Sequence, residues 1–390
     1  MQKIFFAYYS KRSPSKAINK LTHFFDLNNI KLIGDKLKIC VYAISKNESK
    51  FVDRWYESMK EADEIYVLDT GSTDDTVEKL KKHNIKVTTK IIAPWRFDVA
   101  RNESLKLVPE DADLCVCTDL DEVFDKGWRK KLEQAKNYNL VKYNYIWSFD
   151  KNNNPSVNFF YEKIHSRHGY KWVNPVHEVL ECSLKKPKTI LIEDIVLKHY
   201  PDSTKSRSSY LPLLELSVKE NPKNDRNYHY LGREYMFYGK YKEAIKTLKH
   251  HLKMKNATWR DERCASMRFI SRSYYNLKDY KEALKYAIMS ISEAPYLREG
   301  YYETGLIYYH LNEYNKAKLY LLLALQIKSN PKTYINDPAC YNGTIEDLLT
   351  ICEYNLKNYK EAYIYVNKAL KYNPSEPRLL RNKELIEKLI

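Results

Sequence analysis

From residue 203 onward the sequence repeats itself, and the repeat leaves little freedom in the fold. The segments YGKYKEAIKTL, NLKDYKEALKYA, HLNEYNKAKLYL and NLKNYKEAYIYV share an aromatic-x-x-Ala element whose alanines are Ala244, Ala283, Ala317 and Ala362, spaced 39, 34 and 45 residues apart. Tyr235, Tyr274 and Tyr308 precede the first three alanines by nine residues, and Gly232 and Gly305 precede two of them by twelve. Small residues at such positions let paired helices approach closely. Pro295 and Pro374 follow Ala283 and Ala362 by twelve residues, where a helix must stop. A helix pair of this size cannot bury its apolar face alone, so consecutive pairs stack into a solenoid. Residues 203–222, rich in leucine and closed by Pro222, read as a leading half-repeat.

Ahead of the repeats the pattern is different. KLKICVYAI, EIYVLD (64–69), KVTTKII and DLCVCTD (113–119) have the branched, apolar character of buried strands. Between them, Lys50–Ala62, Asp74–His83 and Val99–Leu107 read as helices. Such alternation predicts a mainly parallel sheet with helices on both faces, and ligands beyond the carboxyl ends of its strands. The expected organisation is an extension over 1–36, an α/β domain over 37–202 and a helical array over 203–390.

Composition narrows the class. Charged residues make up 30% and hydrophobic ones 44%, which suits a globular chain rather than a disordered one. No run reaches the roughly 20 apolar residues of a membrane span, and the N-terminal apolar stretch is too short for a signal peptide. A cytoplasmic protein is therefore expected. Seven scattered cysteines form no disulfide framework, and Cys115 and Cys117 read as small buried strand residues. The net charge of +16 is spread among acidic residues, without a basic block, so a nucleic-acid partner is not expected.

The polar residues at the strand ends carry the chemistry. DLCVCT runs directly into Asp119-Leu120-Asp121-Glu122, and paired carboxylates at the end of a buried strand repel unless a cation relieves them. Mg²⁺ or Mn²⁺ favours such oxygen ligands together with diphosphate oxygens. The second strand ends in Asp69-Thr70-Gly71-Ser72, a turn before a capped helix, with Asp69 facing the same crevice. Neither a Gly-x-Gly-x-x-Gly nor a Gly-x-x-x-x-Gly-Lys element occurs, so no dinucleotide site or P-loop is indicated.

The series AISKNE (43–48), LDTGSTDDT (68–76), PWRFDVARNESL (94–105), DLDE (119–122), VHE (176–178) and LKHY (197–200) resembles family 2 glycosyltransferases of the GT-A fold. In particular it is similar to the bacterial branch fused to tetratricopeptide repeats, which includes bacteriocin S-glycosyltransferases. The resemblance implies that Asp69 contacts the nucleobase, with Ser45 and Asn47 beside it. It places Arg101 in the nucleotide pocket, Asp119 near the ribose, and Asp121 and His199 on the metal. Lys205 and Arg207 would reach the diphosphate. Glu178, in the apolar context NPVHEVLE, is the expected base for the acceptor proton, and His177 is the second candidate. Thr70 and His165 depart from the family pattern, where an aspartate and an arginine are usual.

The implied activity is inverting, metal-dependent transfer of a hexose from a UDP-sugar to a hydroxyl or thiol of a protein, peptide or glycan. The cofactor would be Mn²⁺ or Mg²⁺, and the repeats would hold the acceptor or a second subunit as a homodimer. Two other readings compete with it. One is a tetratricopeptide adaptor with an inactive transferase-like domain; the other is a nucleotidyltransferase, which would normally carry a glycine-rich basic loop after the first strand.

Overall fold

The computed structural model describes residues 36–202, 204 and 209–390. The extension over 1–36, save Lys36, and the segment containing Lys205 and Arg207 lie outside the described residues. Residues Ile39–Ile390 pack as one compact unit.

The first half opens as expected. β1 (Ile39–Ser45), β2 (Glu64–Asp69), β3 (Lys86–Thr89) and β4 (Leu114–Thr118) are parallel neighbours in the order β3-β2-β1-β4. Every residue of β1 and β4 is buried, as befits strands covered on both faces. β3 is short and exposed, with a lysine at its start, which suits a sheet edge. The helices between them are α1 (Val52–Met59), α2 (Thr76–Lys82) and α3 (Phe97–Leu105). α1 buries Val52, Trp55 and Met59, a single face at helical spacing, and the Trp55 indole N–H donates to Thr118 Oγ1 at 3.1 Å.

The second half departs from a purely parallel sheet. After β5 (Glu122–Phe124) and the single turn α4 (Trp128–Lys131) come a long hairpin, β6 (Leu140–Phe149) and β7 (Pro155–Ser166), and then β10 (Thr189–His199). These extend one eight-stranded mixed sheet in the order β3-β2-β1-β4-β7-β6-β10-β5. A separate two-stranded ribbon joins β8 (Tyr170–Val173) to β9 (Val179–Cys182). Strand order turns back at β1 and β4, since β2 and β3 lie on one side of β1 and β4 on the other. The crevice at the carboxyl ends of these strands is the topological switch point where ligands bind.

Helices alone follow: α5 (Tyr210–Glu220), then the pairs α6 (Asp225–Phe237) with α7 (Tyr241–Lys253), α8 (Arg260–Asn276) with α9 (Tyr280–Glu293), α10 (Arg298–His310) with α11 (Tyr314–Gln326), and α12 (Thr344–Asn355) with α13 (Tyr359–Tyr372). α14 (Pro377–Glu387) closes the series. The four repeat alanines are completely buried. A Cβ on Gly232 would lie 2.4 Å from Leu248 Cγ, and one on Gly305 would lie 2.9 Å from Leu321 Cγ, so glycine is what allows these helices to touch. No helix among the described residues is long and apolar enough to cross a membrane.

Sheet and repeats share a core. Val176, just before β9, clusters with Leu211, Leu213 and Leu214 of α5 and Tyr230 and Leu231 of α6, and Trp95 and Phe97 pack against them. At about 1.5–3 kcal/mol for each large apolar side chain removed from water, this seam is a substantial part of what holds the loop over 174–178 in place.

Candidate active site

At the carboxyl ends of β1 and β2 the loops are tied to each other. Asp69 is 1% exposed, and its carboxylate accepts from Ser45 Oγ at 3.1 Å, Gly71 N at 3.1 Å, Ser72 N at 3.0 Å and Ser72 Oγ at 2.5 Å. Thr70 Oγ1 donates to the Ser45 carbonyl at 2.9 Å. Asn47, in the left-handed region at φ 53°, accepts from Thr73 N at 2.7 Å through Oδ1. Ser45, Asn47 and Asp69 thus form one pre-shaped rim. Four hydrogen bonds from its own loop and from Ser45 already fill the Asp69 carboxylate, so a base approaching it must displace one of them.

A buried charge network lies under the adjoining strand ends. Arg101 extends from α3, and its Nη2 donates to Asp119 at 3.0 and 3.1 Å, its Nε to Glu178 Oε1 at 2.5 Å and its Nη1 to Cys117 Sγ at 3.3 Å. Asn102 sets this geometry. Its side chain pairs with both backbone groups of Trp172 at 2.8 and 2.9 Å, fastening β8 beside α3 and bringing Glu178, 77 residues on in sequence, to Arg101. Glu178 therefore does not sit in the apolar surroundings that its sequence neighbours suggested; its partner is a guanidinium contributed by a distant helix.

Lys163 and Glu122 complete the network; the sequence marked Glu122 only as the end of the DLDE run, with no role of its own, and did not mark Lys163. Lys163 Nζ lies 3.2 Å from Asp119 Oδ2 and 2.8 Å from Glu122 Oε1, with Lys163 and Glu122 side chains 3% and 1% exposed. Tyr145 O–H donates to Glu122 Oε1 at 2.6 Å, and Asp119 N to Oε2 at 2.9 Å. Burial would raise both carboxyls. At Asp119, Arg101 and Lys163 outweigh burial and hold it well below the usual carboxylate range. At Glu122, burial prevails over Lys163, so Glu122 is the weaker acid of the two. Lys163 itself is pushed up by the two carboxylates in spite of its burial. Its only sequence signal was a lone lysine within an aromatic strand, too common a feature to stand out.

Asp121 and His199 converge at the ends of β4 and β10, with Oδ2 and Nε2 3.3 Å apart. Trp147 stacks on the imidazole at 4.4 Å, and the Trp147 carbonyl accepts from His199 Nδ1 at 3.0 Å. A carbonyl can only accept, so Nδ1 carries a proton and Nε2 is available as a ligand toward Asp121. Neighbouring ligands about 2.1 Å from a cation stand roughly 3 Å apart, and a carbonyl fixing the far ring nitrogen is the usual support of a metal-binding histidine. The pair therefore fits a divalent cation, with remaining positions left for other oxygen ligands.

His177 is turned elsewhere. In the left-handed region at φ 51°, its ring stacks on Tyr230 of α6 at 3.9 Å and 10°, and Nε2 lies 3.4 Å from Arg233 Nη2. Of the expected pair, Glu178 faces the charge network and His177 faces the repeats. His165, one of the departures from the family pattern, accepts from Tyr42 O–H at 2.7 Å in the core, where burial lowers its pKa to about 4.

These features define a GT-A-like mixed α/β domain followed by a tetratricopeptide-like solenoid. Residues 40–179 match the profile of glycosyl transferase family 2, and residues 299–331 match a tetratricopeptide repeat. An uncharacterized glycosyltransferase of Rickettsia conorii is 35% identical over 97 residues, which is 25% of this chain and 33% of that protein. The match thus spans about a third of that relative's length. Among solved structures, a thermophilic tetratricopeptide protein of Thermus thermophilus has a TM-score of 0.35 and 21% identity, covering 46% of this chain and 90% of that one. MamA has a TM-score of 0.35 and 18% identity, covering 45% of this chain and 96% of that one.

Proposed function

We infer that the chain is an inverting glycosyltransferase that moves a hexose from a UDP-sugar to a hydroxyl or thiol of a protein, peptide or glycan in the cytoplasm. The observation that carries this reading is Arg101, which holds Asp119 on the strand-end side and Glu178 on the ribbon side within one buried network. The reading has support from the family 2 profile over residues 40–179.

In this reading the rim of Ser45, Asn47 and Asp69 receives the nucleobase, and Asp119 orients the ribose. Asp121 and His199 would hold Mn²⁺ or Mg²⁺, which supplies charge neutralisation for the departing diphosphate when bound. By the family resemblance, Lys205 and Arg207 would meet the diphosphate. Glu178 takes the acceptor proton onto a carboxylate oxygen as the acceptor attacks the anomeric carbon, and UDP leaves from the opposite face. Arg101 fixes the orientation of that carboxylate but also competes for it, so Glu178 is free to act as a base only once an acceptor has loosened the pair. His177 serves as the wedge that seats the base loop against α6. The repeats hold the acceptor or a second subunit.

The test is release of UDP from a panel of UDP-hexoses, with GDP-, CDP- and ADP-sugars as controls, in Mn²⁺ and in excess EDTA. Asp121→Asn is expected to abolish metal-stimulated turnover while leaving the circular dichroism spectrum unchanged. Undiminished turnover in EDTA, or in the Asp121→Asn protein, removes the metal from the scheme. A preference for GDP-sugars overturns the uracil assignment alone.

A further inference from the structure

Within the repeats, three ends of helices meet around a second group of ligand-type side chains. Asp225 lies in the first turn of α6, His251 in the last turn of α7 and Glu262 in the first turn of α8, and one ligand atom from each lies within 4.8 Å of the others. Acidic residues near helix starts are common without a ligand. The histidine is what makes this group unusual.

His251 is completely buried, and its Nε2 has no hydrogen-bond partner among the described residues. That nitrogen lies 3.3 Å from Glu262 Oε1 without the directionality of a hydrogen bond. Two ligands of a tetrahedral cation, each about 2.0–2.1 Å from it, are separated by about 3.3 Å. The other edge of the ring is fixed. Ser266 Oγ stands between His251 Nδ1 at 3.0 Å and His229 Nδ1 at 2.8 Å. A hydroxyl donates once, so one imidazole accepts that proton and the other donates its own N–H to the oxygen. If His251 is the donor, its Nε2 is a bare lone pair aimed at a carboxylate, an arrangement that repels unless a cation lies between them. The remaining atoms also leave the space open. Glu262 Oε2 accepts from Tyr334 O–H at 2.7 Å, leaving Oε1 for the cluster, and Asp225 Oδ1 accepts from Asn256 Nδ2 at 2.8 Å.

We propose that Asp225, His251 and Glu262 bind a divalent transition-metal ion of the zinc class that locks α6, α7 and α8 together. Two carboxylates and one imidazole are ligands such an ion takes, and a fixed fourth ligand would be needed to close the tetrahedron of a structural site. The site is structural. It fixes the helix that carries Tyr230 and Arg233, the residues against which His177 is seated. It is separate from the Asp121–His199 pair and does not depend on the proposed transferase activity.

The experiment uses Zn²⁺ on the full chain carrying Asp121→Asn, which removes the ligand at the strand-end pair. Elemental analysis after equilibrium dialysis and a thermal melt are read for this protein and for versions adding Asp225→Asn, Glu262→Gln or His251→Gln. The expected result is about one retained zinc per chain with a raised Tm. Each added substitution should weaken binding by more than about tenfold, the loss that a change in an outer shell alone produces. Asp225 is partly exposed, so Asp225→Asn gives the answer even if His251→Gln fails to fold. Absence of bound zinc in the Asp121→Asn chain, or binding unchanged by Asp225→Asn and Glu262→Gln, overturns the proposal and leaves a buried His251–Glu262 ion pair in its place.

Discussion

Replacing Lys163 by methionine isolates the energetics of the buried charge network. The substitution keeps the volume and removes the ammonium that lies 2.8 and 3.1 Å from the Glu122 oxygens. Both side chains are almost fully buried, so water cannot take over. Stripping one partner from a buried pair costs about 3–5 kcal/mol, because the other charge is left uncompensated. Glu122 retains the Tyr145 hydroxyl and the Asp119 N–H, which places the expected loss near the lower figure, at about 3 kcal/mol. Making Glu122 neutral as well, in Lys163→Met/Glu122→Gln, should restore all but about 1 kcal/mol, a recovery of roughly 2 kcal/mol over the single variant. The measurement is urea unfolding followed by tryptophan fluorescence, compared at constant m. A single-variant loss below about 1 kcal/mol, or no recovery in the double variant, would show that the network is solvated and that the reasoning from burial is wrong.

Three further outcomes can be checked with the same protein. Gly232→Ala places a methyl group 2.4 Å from Leu248 Cγ in the packed α6–α7 contact, so it should cost about 1–3 kcal/mol in urea unfolding. Burial lowers the pKa of His165 to about 4 and of His229 to about 3, so the unfolded chain binds more protons below about pH 6.5. Stability should therefore fall as the pH drops from about 7 to about 5, by roughly 2 kcal/mol for each histidine, and the fall should shrink in His165→Gln. A fragment ending at residue 202 loses the leucines of α5 and Tyr230 of α6, exposing Val176, Trp95 and Phe97. It should aggregate on size-exclusion chromatography, and a soluble monomeric fragment would contradict the shared core.

How much of this could be read beforehand varied along the chain for physical reasons. β1, β2 and β4 were plain because strands buried on both faces are unbroken apolar runs, and each ends abruptly in a polar residue. The repeats were plain because glycine, alanine and proline mark close helix contacts and ends, and those contacts recur. β6 and β7 escaped notice. LVKYNYIWSF alternates only over Val141–Tyr145 and fills its buried positions with tyrosine more than branched residues, and PSVNFFYEKIHS, rich in aromatics and polar residues, has no clean alternation at all. α3 starts two residues earlier than its pattern implied, at Phe97, whose side chain packs toward α5 and whose N–H donates to the Pro175 carbonyl. The site was legible one residue at a time, but not as pairs. Nothing local to Glu178 announces Arg101, nothing local to His177 announces Tyr230, and Lys163 gains meaning only beside Asp119 and Glu122.

The stacking of His177 on Tyr230 bears on how such a chain can change length over evolutionary time. A helix pair inserted between α5 and α6 would carry Tyr230 away from the loop before β9 and unseat Glu178 along with it. A pair inserted between α9 and α10 would carry away Tyr334, which follows α11 and stacks on Tyr230 at 5.9 Å, and Glu376, which pairs with Lys151 of the β6–β7 turn. A pair added after α14 would disturb neither contact. The array is thus tied to the sheet through later repeats as well as its first, and variants that lengthen it at its far end can share one unaltered chemical site while presenting different surfaces to whatever they engage.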